Sequence, residues 1–317
     1  MIHHNIEVIH CHGSENYFLL IDAFSQKLNF TEVDFKRFTL SAIKHMSGLK
    51  IDGVLYLLAS VKSDARMRIF NKDGSEAEMC GNGYRCIAKK LHQITGQKQF
   101  KIETLSGLIK GEKKPDIFPN IDTFSVLFDH IDFNYGKISY QEKVIPELDP
   151  ELKFSTIDIG NPHLIAEVKN FEIEKLKKLG EKINHNCHIF PKGNNLSFYK
   201  ILNKQEIYVM TYERGVGLTN SCGTAMAATT LLLAHLKKIA FNQTIQVKNK
   251  GGMVVCVPKA EINLSVELTG NASFVQGFRL KYDAKNAAIE SICQTFFNQN
   301  EINNYFKFKN FLIQDNQ

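Results

Sequence analysis

Residues 71–86 read NKDGSEAEMCGNGYRC and residues 213–224 read ERGVGLTNSCGT; in both, a cysteine stands directly before a glycine at the start of a helical run. Behind Cys80 the apolar residues Tyr84, Ile87, Ala88, Leu91 and Ile94 recur at helical spacing as far as Gly96. That spacing assigns Arg85, Lys89, His92 and Gln93 to an opposite, polar side. Behind Cys222 the string AMAATTLLLA is apolar nearly all round, which asks for a helix enclosed by sheet. One such helix in each half of the chain, with short strands around it, sets the expected fold. It is α+β, with two pseudo-symmetric domains, each a mostly antiparallel curled β-sheet around a central α-helix.

The strands are runs such as NYFLLIDAF, GVLYLLASV, EIYVMTY, MVVCVP and INLSVEL, punctuated by Gly, Asn and Pro, with NKGG at 249–252 reading as a hairpin turn. Two further helices are expected, one near 32–47 capped by Thr31 and a charged one over about 171–184. From about residue 281 the chain turns rich in Asn, Gln and clustered Phe. This segment reads as a docked helical appendage, an oligomer contact or a mobile tail, and its removal is expected to leave the chemistry intact.

At 317 residues, 44% of them hydrophobic, the chain is long enough for two packed domains. Its seven cysteines are scattered, without CxxC or zinc spacing, which points to thiols in a reducing compartment and to no metal. No basic segment leads into an apolar one at the N-terminus, and no run approaches the ~20 apolar residues of a membrane helix. The expected location is therefore the cytoplasm. The formal charge of +6 is interleaved along the chain rather than clustered, which argues against nucleic acid as a partner and leaves a small molecule.

A thiol at a helix N-terminus sits where unpaired amides and the positive end of the dipole favour the thiolate, and the same amides can hold a carboxylate. Gly81, Gly83 and Gly223 let backbone approach such an anion. Two such sites facing one amino acid would place a sulfur on each side of its α-carbon. That geometry suits racemisation, with one thiolate removing the α-proton and the other thiol returning one. Cys80 and Cys86 lie about 240° apart on a helix, so neither a disulfide nor a shared metal is natural, and Cys86 reads as incidental. A cysteine-protease reading, with His163 as base, leaves the second Cys-Gly helix start unexplained.

With GNPH, FPKGNN, HGSENYF, DGVL, ETLSG, GGMVV and ELTGNASFVQGF added, in order from about His12 to Phe278, the motif set resembles that of diaminopimelate epimerases. The resemblance implies interconversion of LL- and meso-diaminopimelate with no cofactor and no metal, Cys80 and Cys222 being the acid/base pair. It also implies that Asn16, Asn71, Asn161, Asn195, Glu213 and Arg214 bind substrate, that Gly81-Asn82 and Gly223-Thr224 are anion cradles, and that His163 tunes the thiols. Arg214 would fork onto a distal carboxylate and Glu213 would receive the distal ammonium. The implied halves are 1–121, completed by a returning strand near 272–282, and 122–271, with 283–317 an extension outside the motif set, in a homodimer. Departures fall at Lys50 in SGLKIDG, at Leu218 in GVGLT and at Ala225 in CGTA. Alternative readings are a racemase of the same fold acting on a proline derivative or histidine, and a redox-sensing binding module using the Cys80/Cys222 pair.

Overall fold

A computed structural model describes residues 3–134, 139–185 and 187–314. The chain forms two compact units, Met1–Val126 with Gly270–Gln317, and Leu127–Thr269. The first runs β1 (His3–Gly13), β2 (Asn16–Asp22), α1 (Glu32–His45), β3 (Gly53–Leu58), β4 (Ala65–Asn71), β5 (Glu76–Ala77), α2 (Gly81–Thr95), β6 (Gln99–Thr104), β7 (Gly107–Lys114) and β8 (Thr123–Phe128). The second runs β9 (Lys143–Ile145), β10 (Asp149–Asp158), β11 (Pro162–Glu167), α3 (Ile173–Asn184), β12 (Asn195–Asn203), β13 (Glu206–Glu213), β14 (Gly217–Thr219), α4 (Gly223–His235), β15 (Ile245–Asn249), β16 (Gly252–Ala260) and β17 (Leu264–Asn271). The chain then returns to the first unit through β18 (Ser273–Asp283), β19 (Ala288–Phe297) and α5 (Gln299–Gln314).

The duplication is plain in the pairing. β1 pairs antiparallel with β2, β2 parallel with β3, β3 antiparallel with β4, and β4 antiparallel with the short β5 and parallel with β6. β10 to β15 repeat that series of directions step for step. A helix crosses each β2–β3 or β11–β12 parallel step, and α2 and α4 cross the second, as parallel neighbours require. β1 also pairs along its length with β18.

The helix caps follow the expected chemistry. Thr31 and Asp34 form a reciprocal capping box on α1, an arrangement that stabilises a helix by about 1 kcal/mol. The α1 side of the first unit is an aromatic core of Phe35, Phe38, Tyr56, Phe70 and Tyr282. α4 is buried from Gly223 to Ala234 and packs against β10–β13, β15 and β16, as its uniform apolarity demands. The 249–252 turn joins β15 to β16 with Asn249 opposite Gly252.

Two readings of the sequence are corrected here. α2 has no solvated polar side over its first half: Arg85 is 0% exposed, Lys89 4% and Cys86 0%. The guanidinium of Arg85 stays inside because carbonyls and side chains saturate it, donating to the Asn271 and Gly81 carbonyls, Ser14 Oγ and Asn82 Oδ1. A buried charge survives on such terms. Cys86 is a core side chain beside Cys11 rather than one of a row of solvated polar residues. Of the alternatives left open for the segment from about residue 281, the docked appendage is the one the structure bears out, with a strand added to the helix: β19 extends the sheet antiparallel to β18, and α5 buries Tyr305, Phe308 and Leu312. Its strand escaped notice because AIESICQTFF is an edge strand, exposed along most of its length, without a buried alternating face.

Candidate active site

In the first unit, β5 leads into Cys80, which is extended (φ −145°) and is the N-cap of α2. β5 is fastened by Arg68, whose Nε meets Glu76 Oε1 at 2.6 Å. The thiol sits between opposing partners. Gly83 N–H donates to Sγ at 3.5 Å, while the S–H is 3.6 Å from Asn16 Oδ1. The first contact favours the thiolate and the second the thiol. Asn16 is oriented in turn, its Nδ2 donating to Asp52 Oδ2 at 3.1 Å and its Oδ1 accepting from Asn82 Nδ2 at 3.3 Å. Asp52 also accepts from the Tyr17 amide. Gly83 has a packing reason of its own, because a Cβ there would lie 2.7 Å from Leu55 Cδ2. Asn71, at the end of β4, bonds through Nδ2 to Ser75 Oγ, so its described side-chain bond belongs to the 71–75 turn.

The second unit links four of its expected residues, Cys222, Thr224, Asn161 and His163, in one series of hydrogen bonds. Cys222 caps α4 (φ −112°), with Sγ 3.4 Å from Thr224 Oγ1. Asn161 Nδ2 donates to that hydroxyl at 3.1 Å, and His163 Nε2 meets Asn161 Oδ1 at 3.0 Å. With the amide committed that way round, Nε2 carries the proton, an assignment made from the network. Parallel pairing of β11 and β12 sets His163 beside Asn195. Asn195 donates to the Pro162 carbonyl and accepts from the Arg214 amide at 2.9 Å. The Arg214 guanidinium reaches the Lys192 carbonyl at 3.2 Å, and Glu213 accepts from Thr219 Oγ1 at 2.5 Å. A cavity of about 140 Å³ opens beside Cys222, lined by Thr211, Leu218, Met226, Asn249 and Lys250 among others, so the departure at Leu218 borders the thiol's surroundings. Ala225 is buried within α4.

His163 is fully buried, and burial, followed by the positive charge of Arg214, pushes its pKa down to about 3. It is a neutral imidazole near pH 7. Its Nε2–H orients Asn161, and its Nδ1 has no hydrogen-bond partner among the described residues. Asp52, Arg85 and Ser14, which hold Asn16 and Cys80 in place, were not singled out from sequence as site residues. Asp52 lies in the quoted DGVL motif, whereas Arg85 was hidden by the assumption of a polar helix face.

Each unit opens its central helix on a cysteine, and solved structures share this two-unit fold. The Bacillus anthracis phenazine biosynthesis protein of the PhzF family superposes with a TM-score of 0.66 at 17% identity, covering 88% of this chain and 99% of its own. A probable proline racemase from Agrobacterium radiobacter K84 superposes with a TM-score of 0.65 at 15% identity, covering 86% and 92%. The diaminopimelate epimerase family model matches residues 8–118 and 155–275. The chain is 36% identical over 312 residues to the diaminopimelate epimerase of Clostridium acetobutylicum, covering 96% of this chain and 93% of that one. It is 34% identical over 328 residues to that of Enterococcus faecalis, covering 98% and 99%. The chain belongs to the diaminopimelate epimerase family. Coverage of this extent takes in most of residues 283–317, so the extension that lies outside the motif set has counterparts in these relatives.

Proposed function

We propose that the protein interconverts LL- and meso-diaminopimelate by a two-base reaction, one thiol from each unit acting on the same α-carbon. The observation that carries the reading is the N-cap position of Cys80 and of Cys222, at equivalent points of a repeated series of pairings. A thiolate takes the α-proton and becomes a thiol, the electron pair stays on the substrate as a carbanion, and the other thiol protonates the opposite face and becomes a thiolate. The net change is inversion, with the two sulfurs exchanging roles. Helix-start amides at Gly81-Asn82 and Gly223-Thr224 would hold the reacting carboxylate. Asn16, Asn71, Asn161 and Asn195 would orient the substrate, with Arg214 on the distal carboxylate and Glu213 on the distal ammonium. His163 would act by holding Asn161 rather than by ferrying protons, which accords with its depressed pKa.

The test is incubation of the reduced protein with LL-diaminopimelate, without added cofactor, followed by chiral separation. Appearance of the meso isomer up to an equilibrium mixture is expected, with proline left unchanged. No turnover of diaminopimelate by reduced, folded protein would overturn the reading. The protein is further read as a cytoplasmic homodimer, for which light scattering on the purified chain checks the mass.

A further inference from the structure

We propose that the C-terminal β19–α5 extension is a positioning element for the Cys80 half-site, acting through the two-residue turn between β1 and β2; this rests on the reading of Cys80 as an acid/base group. Gly13 pairs with Asn16, so Ser14 and Glu15 alone make the turn, and both have positive φ, 52° and 59°. Such a turn suits Asn-Gly; Ser and Glu adopt it against their own preference. It must be held from outside.

The holding groups are all in place. Asn271 Oδ1 accepts from the Ser14 amide at 2.8 Å, and Arg85 donates to Ser14 Oγ at 3.3 Å. Lys50 Nζ donates to the Glu15 carbonyl at 3.2 Å. From α5, Lys309 Nζ meets the Glu15 carboxylate at 2.6 Å, and Tyr305 hydrogen-bonds to the Ser14 side chain while its ring stands edge-on to His12, 4.5 Å between centroids. Glu301 of α5 also pairs with Lys89 of α2 at 3.0 Å. One helix therefore touches the turn that delivers Asn16 and the helix that Cys80 opens. Asn16 is the next residue after the turn, and its Oδ1 is the group facing the thiol. Lys50 and the extension, two places where the chain departs from the motif set, meet on the same residue, Glu15.

The experiment uses the full chain with Lys309→Met and Tyr305→Phe. It reads kcat/KM for LL-diaminopimelate and, by peptide mass spectrometry, the ratio of iodoacetamide labelling at Cys80 to that at Cys222. A displaced Asn16 removes both an acceptor that favours the thiol and a covering group, so labelling at Cys80 rises. We expect kcat/KM to fall about tenfold and the labelling ratio to rise about threefold. Lys309→Arg should stay near wild type. Glu15→Gly added to either variant should restore both readouts, because glycine takes positive φ unaided. An unchanged labelling ratio in folded variants, or no rescue by Glu15→Gly, overturns the proposal. If Lys309→Met fails to fold, Tyr305→Phe, which removes the other contact from α5 to the turn, carries the test alone under the same criteria. If the wild type does not turn over diaminopimelate while the ratio shifts and is rescued, the functional reading fails and the positioning role stands.

Discussion

At the scale of single residues, the second unit links Cys222, Thr224, Asn161 and His163 side chain to side chain, and fastens Asn195 and Arg214 to backbone. Arg214 shows how closely. Its amide donates to Asn195 Oδ1 while, among the described residues, its guanidinium hydrogen-bonds to the Lys192 carbonyl alone, so a planar fork remains to be offered to an anion. Lysine would supply the charge without the fork. Arg214→Lys is expected to lower kcat/KM by about a hundredfold, the scale of losing one charge-assisted pair, with the fold intact by circular dichroism. Normal turnover would remove Arg214 from the distal-carboxylate role. His163 makes a prediction about pH. Its folded pKa of about 3 lies below the ordinary imidazole value of 6.5, so the unfolded chain binds the extra proton between those values. Stability is then complete above the unfolded pKa and is lost as pH falls toward the folded one. His12 adds the same dependence in the first unit, for the same reason of burial. His163→Gln, which keeps a donor for Asn161, should show a shallower fall in thermal midpoint from about pH 7 to about pH 4 than the wild type. An identical fall would mean that His163 is not the group responsible.

At the scale of elements, helix starts were legible, and so were the surroundings of α4 but not those of α2. Cys80, Cys222 and Thr31 announced their helices through local chemistry, which depends on the few residues next to a cap. α4 was read as enclosed because every face is apolar. α2 was misread because Arg85 and Lys89 are buried by partners far along the chain, Asn271, Ala272 and Glu301, and no periodicity encodes those. The correction changes what Cys86 should do. Cys86→Ser puts a hydroxyl into a fully buried site beside Cys11 and should cost about 1–3 kcal/mol in urea unfolding, while kcat is expected to stay near that of the wild type. A neutral effect on stability would contradict its burial. Gly83→Ala should damage both properties. Its Cβ would press on Leu55, which is 0% exposed, at a cost of about 1–3 kcal/mol. Relief of that contact by Leu55→Val in the same chain is the check on the cause.

At the scale of the whole molecule, the duplication shows in strand order although sequence identity between halves is slight, because pairing directions depend on connection lengths and buried faces rather than on particular residues. That repetition gives each unit one thiol at one helix start, and the proposed two-base reaction would use both. It carries an isotopic consequence. Thiol protons exchange with solvent between turnovers, so in heavy water the returned hydrogen is deuterium, while the abstracted one goes to the other sulfur and from there to solvent. Early in the reaction the inverted product should carry deuterium at the α-carbon and the remaining substrate should stay protiated, as read by mass spectrometry of the separated isomers. Cys80→Ser and Cys222→Ser should each abolish inversion, since an alkoxide is far harder to form than a thiolate. Each single variant should still be able to wash deuterium into the one isomer whose α-proton its remaining thiol can reach. Product that retains the substrate hydrogen would point to a single base serving both faces, and wild-type inversion in either serine variant would show that the repeated cysteines are a relic of the fold rather than its working pair.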